Sequence, residues 1–397
     1  MLRSWKSITV GLIAYWVWTR QHALKAQLLP KDIPKLFDAG ASCTMIGNKE
    51  ANGQFKFCED GTTVAPGVAI FSCDPGRLKW NTIMGPMIDP NPRGGLWAVH
   101  YDSKSTQTPY ALELSGFPAN ADFHPLGIEV IPSTEKPRVL VINHRRDRPT
   151  IEVFRIYYHE GSALMLTHEK TLHHPSIKAP NAMVAVSETA FYLSQDHTFT
   201  FRLGWPLNMF LPVLETMLAL PLGRVSLVLF DTVQGVGQVQ TIASQIPFAN
   251  GVAISEDGST LAVAATTLAE VQFYSRNQTS IDFVRSIKVP FSADNIAFAG
   301  DQLLVAGHPY LPAFMALKKG KTDTSPSWVS SISPAETNSG ESWISRIAHG
   351  AKVTDILKSD GSFLTSSSGA FADLEMQTMF VVGLYDGNGV AKCKLVS

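Results

Sequence analysis

No apolar stretch in this chain reaches the roughly 20 residues that a helix needs to cross a bilayer. The run nearest the amino terminus, Ile8 to Thr19, has about 12. Net charge is also lacking. Lys and Arg number 33 against 34 Asp and Glu, leaving −1, and no basic stripe is visible, so the chain has no nucleic-acid footprint. Charged residues make up only 17% against 45% hydrophobic, which permits a sizeable core and argues against disorder. The one biased stretch, Thr322 to Glu341, is rich in Ser, Thr and Pro and reads as a long surface loop. No Cys or His occurs at ligand spacing, so zinc is not indicated. Helical periodicity is scarce, and there are only four cysteines.

The first 26 residues stand apart. Arg3 and Lys6 precede the apolar run, and Arg20 and Lys25 follow it. This is the pattern of a secretory signal peptide or a retained signal anchor, although Ala23 and Ala26 make a poor cleavage site. A secretory start makes the cysteines readable as disulfides, with three possible pairings. Cys43 lies near the start of the remaining chain and Cys393 near its end; bridging them would fasten the two ends. Cys58 and Cys73 flank a short apolar segment and either bridge a local hairpin or stay as buried thiols. Asn277-Gln-Thr279 is a glycosylation acceptor in a polar turn between two strands.

What fills the rest is β. Strand-like runs occur at Val139 to Ile142, Ile151 to Tyr157, Val225 to Phe230, Leu261 to Ala265, Val271 to Tyr274 and Met379 to Leu384, punctuated by Gly, Pro, Asp and Asn. A unit recurs: Asp or Asn, an apolar strand, a tight turn, a second apolar strand. It is clearest from Asn250 and repeats from Asn181 and Asp294, with weaker copies near Gly67, Gly127 and Ala370. A spacing of roughly 45 to 75 residues suits a four-stranded propeller blade or slightly more. The expectation is an all-β, six-bladed propeller over 43–397 with a central tunnel, plus an amino-terminal apolar helix. Trp205 to Leu222 interrupts a blade as a short helical insertion, apolar nearly all round. It is read as a lid over the axial site, a membrane-contacting helix or a packed insertion.

In such a ring, residues that lead the inner strands meet at one mouth. Here they are Glu59 and Asp60, Asn181, Asn250, and Asp294 with Asn295, all hard oxygen donors. Calcium takes six to eight oxygens from carboxylates, amide carbonyls and water. Magnesium prefers fewer protein ligands. Any one of these residues could be a turn former; their recurrence at equivalent points favours a metal.

These stretches resemble the serum paraoxonase/arylesterase family. The resemblance runs from Cys43 to Cys393 and is carried by Glu59-Asp60, Phe123-His-Pro-Leu-Gly-Ile128, Val141-Ile-Asn-His144, Pro149 to Phe154, Pro180 to Val186, Gln195-Asp-His197, Phe248-Ala-Asn-Gly251, Asp294-Asn-Ile296 and His308-Pro309. It implies a six-bladed propeller, a disulfide joining Cys43 and Cys393, and a retained amino-terminal apolar segment. It also implies a catalytic calcium on Glu59, Asn181, Asn250, Asp294 and Asn295. A second, structural calcium would use Asp60 and the carbonyl of Ile128, but the family's further Asp is Ala182 here. One member of the family's histidine pair matches His144; the other is replaced by Leu126. His124 lies two residues earlier, with Pro125 leaving its direction open.

The expected activity is calcium-dependent hydrolysis of lactones or aryl esters, water attacking a carbonyl polarised by the ion. The base would be His144, Glu59 or Asp294, and a carboxylate already on calcium is a weak one, so turnover should be slow. The expected partners are a small hydrophobic ester or lactone and a membrane surface met through residues 8–19 and 205–222, with a secretory destination. The alternatives are a strictosidine-synthase-like or gluconolactonase-like enzyme, and a non-catalytic, calcium-stabilised propeller that binds hydrophobic ligands or partners.

Overall fold

Alternating apolar strands and Gly- or Asp-bearing turns build six sheets of four or five strands each, antiparallel except where Leu114–Ser115 pairs in parallel with Met165–Leu172. The computed structural model describes residues 2–47, 51–102, 107–131, 133, 137–159, 162–277, 280–336 and 340–395, with side chains in the first helix from residue 13 onward. The sheets are the blades of a six-bladed β-propeller. Their inner strands are Cys58–Ala65, Pro125–Ile131, Pro180–Ser187, Ala249–Ile254, Ser292–Ala299 and Ser367–Asp373. Each touches the next, and the last touches the first, so the ring is closed.

Closure is made by the chain's ends. Strand Thr44–Gly47 adds to the outer edge of the sixth blade, with Thr44 opposite Lys392. The Cys43–Cys393 disulfide locks that pair. Cys58 and Cys73 are bridged across the first hairpin, where they are register partners. Between blades the core is packed by aromatic and branched side chains, for example Phe71 against Phe371 and Phe380.

Among the described residues four α-helices decorate the ring: α1 (Leu2–Leu28), α2 (Leu207–Met217), α3 (Leu311–Lys318) and α4 (Trp343–His349). The last turns of α1 dock on the propeller. His22 Nε2 donates to the carbonyl of Val289 (2.9 Å), Gln27 to that of Thr266 (2.9 Å), and Ala23 and Ala26 pack on Ala269. No helix among the described residues is long and apolar enough to cross a membrane. The side chains of residues 8–10 and 12, part of the apolar run, lie outside the described set. Helix α2 is the expected insertion, between the second and third strands of the third blade. Helices α3 and α4 are short and carried no periodic signal.

Two sequence expectations need correction. Gly67 does not lead an inner strand: it forms the turn after one, at φ +80°. The surface loop expected over Thr322 to Glu341 contains the buried strand Ser327–Pro334. Its composition misleads because hydroxyls of this strand find buried partners, Ser327 donating to the carbonyl of Leu364 (2.9 Å) and Ser330 to Asp355 (3.2 Å).

Candidate active site at the propeller axis

Each inner strand carries one extra residue against its neighbour, at the same point near its start. The extra residue falls between Cys58 and Asp60, Pro125 and Ile128, Pro180 and Met183, Ala249 and Val252, Ala293 and Ile296, and Ser367 and Gly369. A β-bulge bends its strand and re-aims a side chain that the pleat would hold sideways. The bulged residues are Glu59, Leu126, Asn181, Asn250, Asp294 with Asn295, and Ser368. Repetition of one backbone defect thus assembles the predicted ring. Gly251 permits the close approach: a Cβ there would sit 2.7 Å from the Asp294 carbonyl and 2.6 Å from the Ile296 nitrogen.

The ring's hydrogen bonds leave a definite remainder. Asn250 Nδ2 donates to Asp294 Oδ1 (2.6 Å) and Thr266 Oγ1 (3.1 Å), Asn181 Nδ2 to Asp196 Oδ2 (3.0 Å), and Asn295 Nδ2 to Glu59 Oε1 (2.8 Å). Asp294 Oδ2 accepts from His308 Nε2 (3.0 Å). With every amide nitrogen engaged, four buried oxygens have no partner: Glu59 Oε2, Asn181 Oδ1, Asn250 Oδ1 and Asn295 Oδ1. Buried acceptors of this kind are rare and call for an ion or water. Two carboxylates and three neutral amide oxygens match a hard divalent cation that takes many oxygens. No group of three or more His, Cys, Asp or Glu gathers at ligand distance among the described residues, so the donors are amide-rich. Burial, then Asp60 and Asp294, push the Glu59 carboxyl well above its usual range; a cation at these oxygens would reverse that pressure.

The pair proposed for a second ion fits less well. Asp60 has both oxygens paired, to the backbone nitrogens of Gly61 (2.8 Å) and Ile128 (3.1 Å), so Ile128 presents its N–H to this carboxylate. Ala182 supplies no side-chain donor. Burial pushes Asp60 up to about 7 and the neighbouring Glu129 up to about 8.

Above the ring lies a cavity walled by Leu126, Ile83, Met84, Leu311, Phe314 and Met315. Gln27 of α1 and Thr216 of α2 also reach it. His144 lines it with both nitrogens engaged: Nε2 donates to the carbonyl of Pro180 (2.9 Å), and Nδ1 meets the hydroxyl of Thr82. Burial, then Arg202, push His144 down to about 3, so it stays neutral. His197 is held between Asp196 and Thr216. His124, whose direction the sequence left open, points Nδ1 at Asp74 Oδ2 (2.9 Å), and its Nε2 is buried without a partner. Asp74 escaped the sequence reading because Cys73-Asp-Pro-Gly76 has the composition of a turn. It is one, since Asp74 Oδ1 accepts from Gly76 N (2.9 Å), but its other oxygen serves a residue 50 positions away. Asn277 is exposed, while the Gln278 and Thr279 of its acceptor motif lie outside the described residues.

Helix α2 is not a covered insertion. Glu215 pins it by accepting from the backbone nitrogens of Thr198 (2.9 Å) and Phe199 (2.8 Å). Its other side leaves Phe210, Val213, Leu214 and Met217 exposed, next to Trp205 at 80%. Trp16 of α1 donates to the carbonyl of Leu218 (3.2 Å), which joins this patch to the exposed Ile13, Tyr15 and Trp18.

A family model described as Arylesterase matches residues 55–381. The chain is 30% identical over 279 residues to serum paraoxonase/arylesterase 2 of Canis lupus familiaris, covering 68% of this chain and 69% of that protein. It is 26% identical over 272 residues to serum paraoxonase/lactonase 3 of Oryctolagus cuniculus, covering 68% and 69%. Against serum paraoxonase/arylesterase 1 of Homo sapiens the figures are 26% over 299 residues, 73% and 74%. Among solved structures, a luciferin-regenerating enzyme is similar with a TM-score of 0.49 at 13% identity, covering 90% of this chain and 98% of that one.

Proposed function

The chain belongs to the arylesterase family, and we propose that it is a calcium-dependent hydrolase of apolar lactones and aryl esters. The observation that carries this reading is the group of four unpartnered oxygens in the bulge ring. Glu59 and Asp294 supply negative charge and Asn181, Asn250 and Asn295 supply neutral oxygens for the ion. Calcium bound there would polarise the substrate carbonyl and offset the charge of the oxyanion. The cavity's apolar wall favours a substrate with a hydrocarbon or aryl body, and Leu126 makes one sector of the ring itself apolar. Binding there excludes water from the ester apart from the attacking molecule, which raises the electrostatic value of every ring dipole.

The exposed apolar side chains of α1 and α2 support attachment to a lipid surface beside the cavity mouth. Two disulfides and the serum relatives support passage through the secretory pathway.

The test is hydrolysis of a panel of lactones and aryl esters by calcium-loaded protein. Activity should vanish with EGTA and return with calcium, and Asp294→Ala should lower kcat/KM by about 10²-fold or more. Inertness across the panel, with calcium still raising the melting temperature, would replace the enzyme by a calcium-stabilised binding module.

A further inference from the structure

We propose that His124, oriented by Asp74, is the general base of this active site; the inference rests on the hydrolase reading above. The main chain of His124 is held on both sides, its N–H donating to Asn143 Oδ1 (2.9 Å) and its carbonyl accepting from His144 N (3.0 Å). The ring stacks on Trp80 at 5.5 Å, and Trp80 in turn donates to the carbonyl of His144 (2.9 Å). Asp74 is 1% exposed and His124 2%. An ionised carboxylate only accepts hydrogen bonds, so the Asp74 contact keeps the imidazole proton on Nδ1. Nε2 then carries the lone pair, and it is the one polar atom of His124 without a protein partner. His124 and Asp74 line the same cavity as Glu59, Asn181, Asn250 and Asp294. A base whose far nitrogen is oriented by a buried carboxylate is the arrangement that activates a nucleophile.

The other groups in the cavity are less free. His144 has both nitrogens engaged, and His197, which does not line the cavity, has Nε2 on Thr216 Oγ1 (2.7 Å) and Nδ1 3.2 Å from Asp196 Oδ1. His308 keeps Nδ1 unpartnered, but its carboxylate partner Asp294 belongs to the ion's ring and is shared with Asn250. Among the histidines that line the cavity, His124 is the one paired with a carboxylate outside the ring. His124 immediately precedes the inner strand that carries Leu126, and both residues line the cavity.

The proposed step conserves atoms and electrons. His124 Nε2 takes a proton from a water as that oxygen bonds to the carbonyl carbon. The bond to the alkoxy or aryloxy oxygen then breaks, and the imidazolium returns its proton to that oxygen. The products are the acid and the alcohol, and Asp74 stabilises the transient imidazolium without taking the proton.

The experiment combines kinetics, calcium-induced melting shifts and ¹⁵N spectra of the histidine rings. His124→Gln should lower kcat by about 10²- to 10⁴-fold, with KM within about threefold and the calcium shift retained. Asp74→Asn should lower kcat over the same range and move the His124 proton from Nδ1 to Nε2. His124→Gln within about threefold of wild type, a loss found only with His308→Gln, or an Nε2–H tautomer in wild type would overturn the assignment. Those outcomes leave the hydrolase intact. A wild type inert toward the whole panel overturns the hydrolase and the base together. The tautomer is read on unsubstituted protein, so it decides even where a variant fails to fold.

Discussion

A buried oxygen with no donor costs about 1–3 kcal/mol, and this protein places four of them around one axis. That sum is tolerable only where something else binds them, which is why the ring reads as a cation site. The acidic pair below it shows the contrasting case. Glu129 accepts from Ala185 N (2.8 Å) and is pushed up from 4.5 to about 8, first by burial and then by Asp60. Below about pH 4.5 both folded and unfolded chains hold this proton. Between about 4.5 and 8 the unfolded chain releases it while the folded one keeps it, so stability falls as pH rises through that window. In calcium-chelated protein, Glu129→Gln should therefore match wild type at pH 5 and melt a few degrees higher at pH 8. Thermal melts across that range check it; parallel curves would mean that Glu129 ionises freely in the fold.

At the scale of elements, the inner strands work through a shared defect. One bulge per strand, repeated six times, turns side chains that should face sideways toward a common point. The helices work through what they leave uncovered. Exposed aromatic and aliphatic side chains on α1 and α2 form one patch because Trp16 bridges to Leu218. A Trp18→Ala, Phe210→Ala protein should bind phosphatidylcholine vesicles at least about tenfold more weakly, since each buried aromatic contributes about 2 kcal/mol. Hydrolysis of a water-soluble ester should be unchanged, because neither side chain lines the cavity. Co-sedimentation measures the first and a colorimetric assay the second; equal vesicle binding would make the patch a contact for something other than lipid.

For the whole molecule, the weak point is closure, since a propeller that opens exposes two blade faces at once. Strand Thr44–Gly47 and the Cys43–Cys393 bridge hold that seam. The bridge spans 350 residues, against 15 for Cys58–Cys73. On the chain-entropy account it removes on the order of 5 kcal/mol of unfolded-state freedom, and the short one about 3. Replacing Cys43 and Cys393 by Ala should therefore lower the melting temperature more than replacing Cys58 and Cys73, as differential scanning calorimetry would show. The opposite order would mean that the first hairpin, not the seam, limits stability.

The repeat, the blade number and the ring residues were legible in the sequence because each depends on a local pattern that recurs: an amide or carboxylate, then an apolar strand, then a turn. The Cys43–Cys393 pairing was suggested by the same circular logic and by the family resemblance, whereas Cys58 and Cys73 stayed open between a bridge and free thiols until the hairpin register paired them. The first copy of the repeat was placed near Gly67 because Glu59-Asp60 is followed by Gly-Thr-Thr rather than by an apolar run, and Ser327–Pro334 was missed because hydroxyls within it find partners on other segments. Tertiary structure alone decided the direction of His124, its pairing with Asp74, the docking of α1 and the occupation of both His144 nitrogens. Each of these is a contact between segments far apart in the chain, set by which surfaces pack together, and a sequence records such contacts only when they repeat.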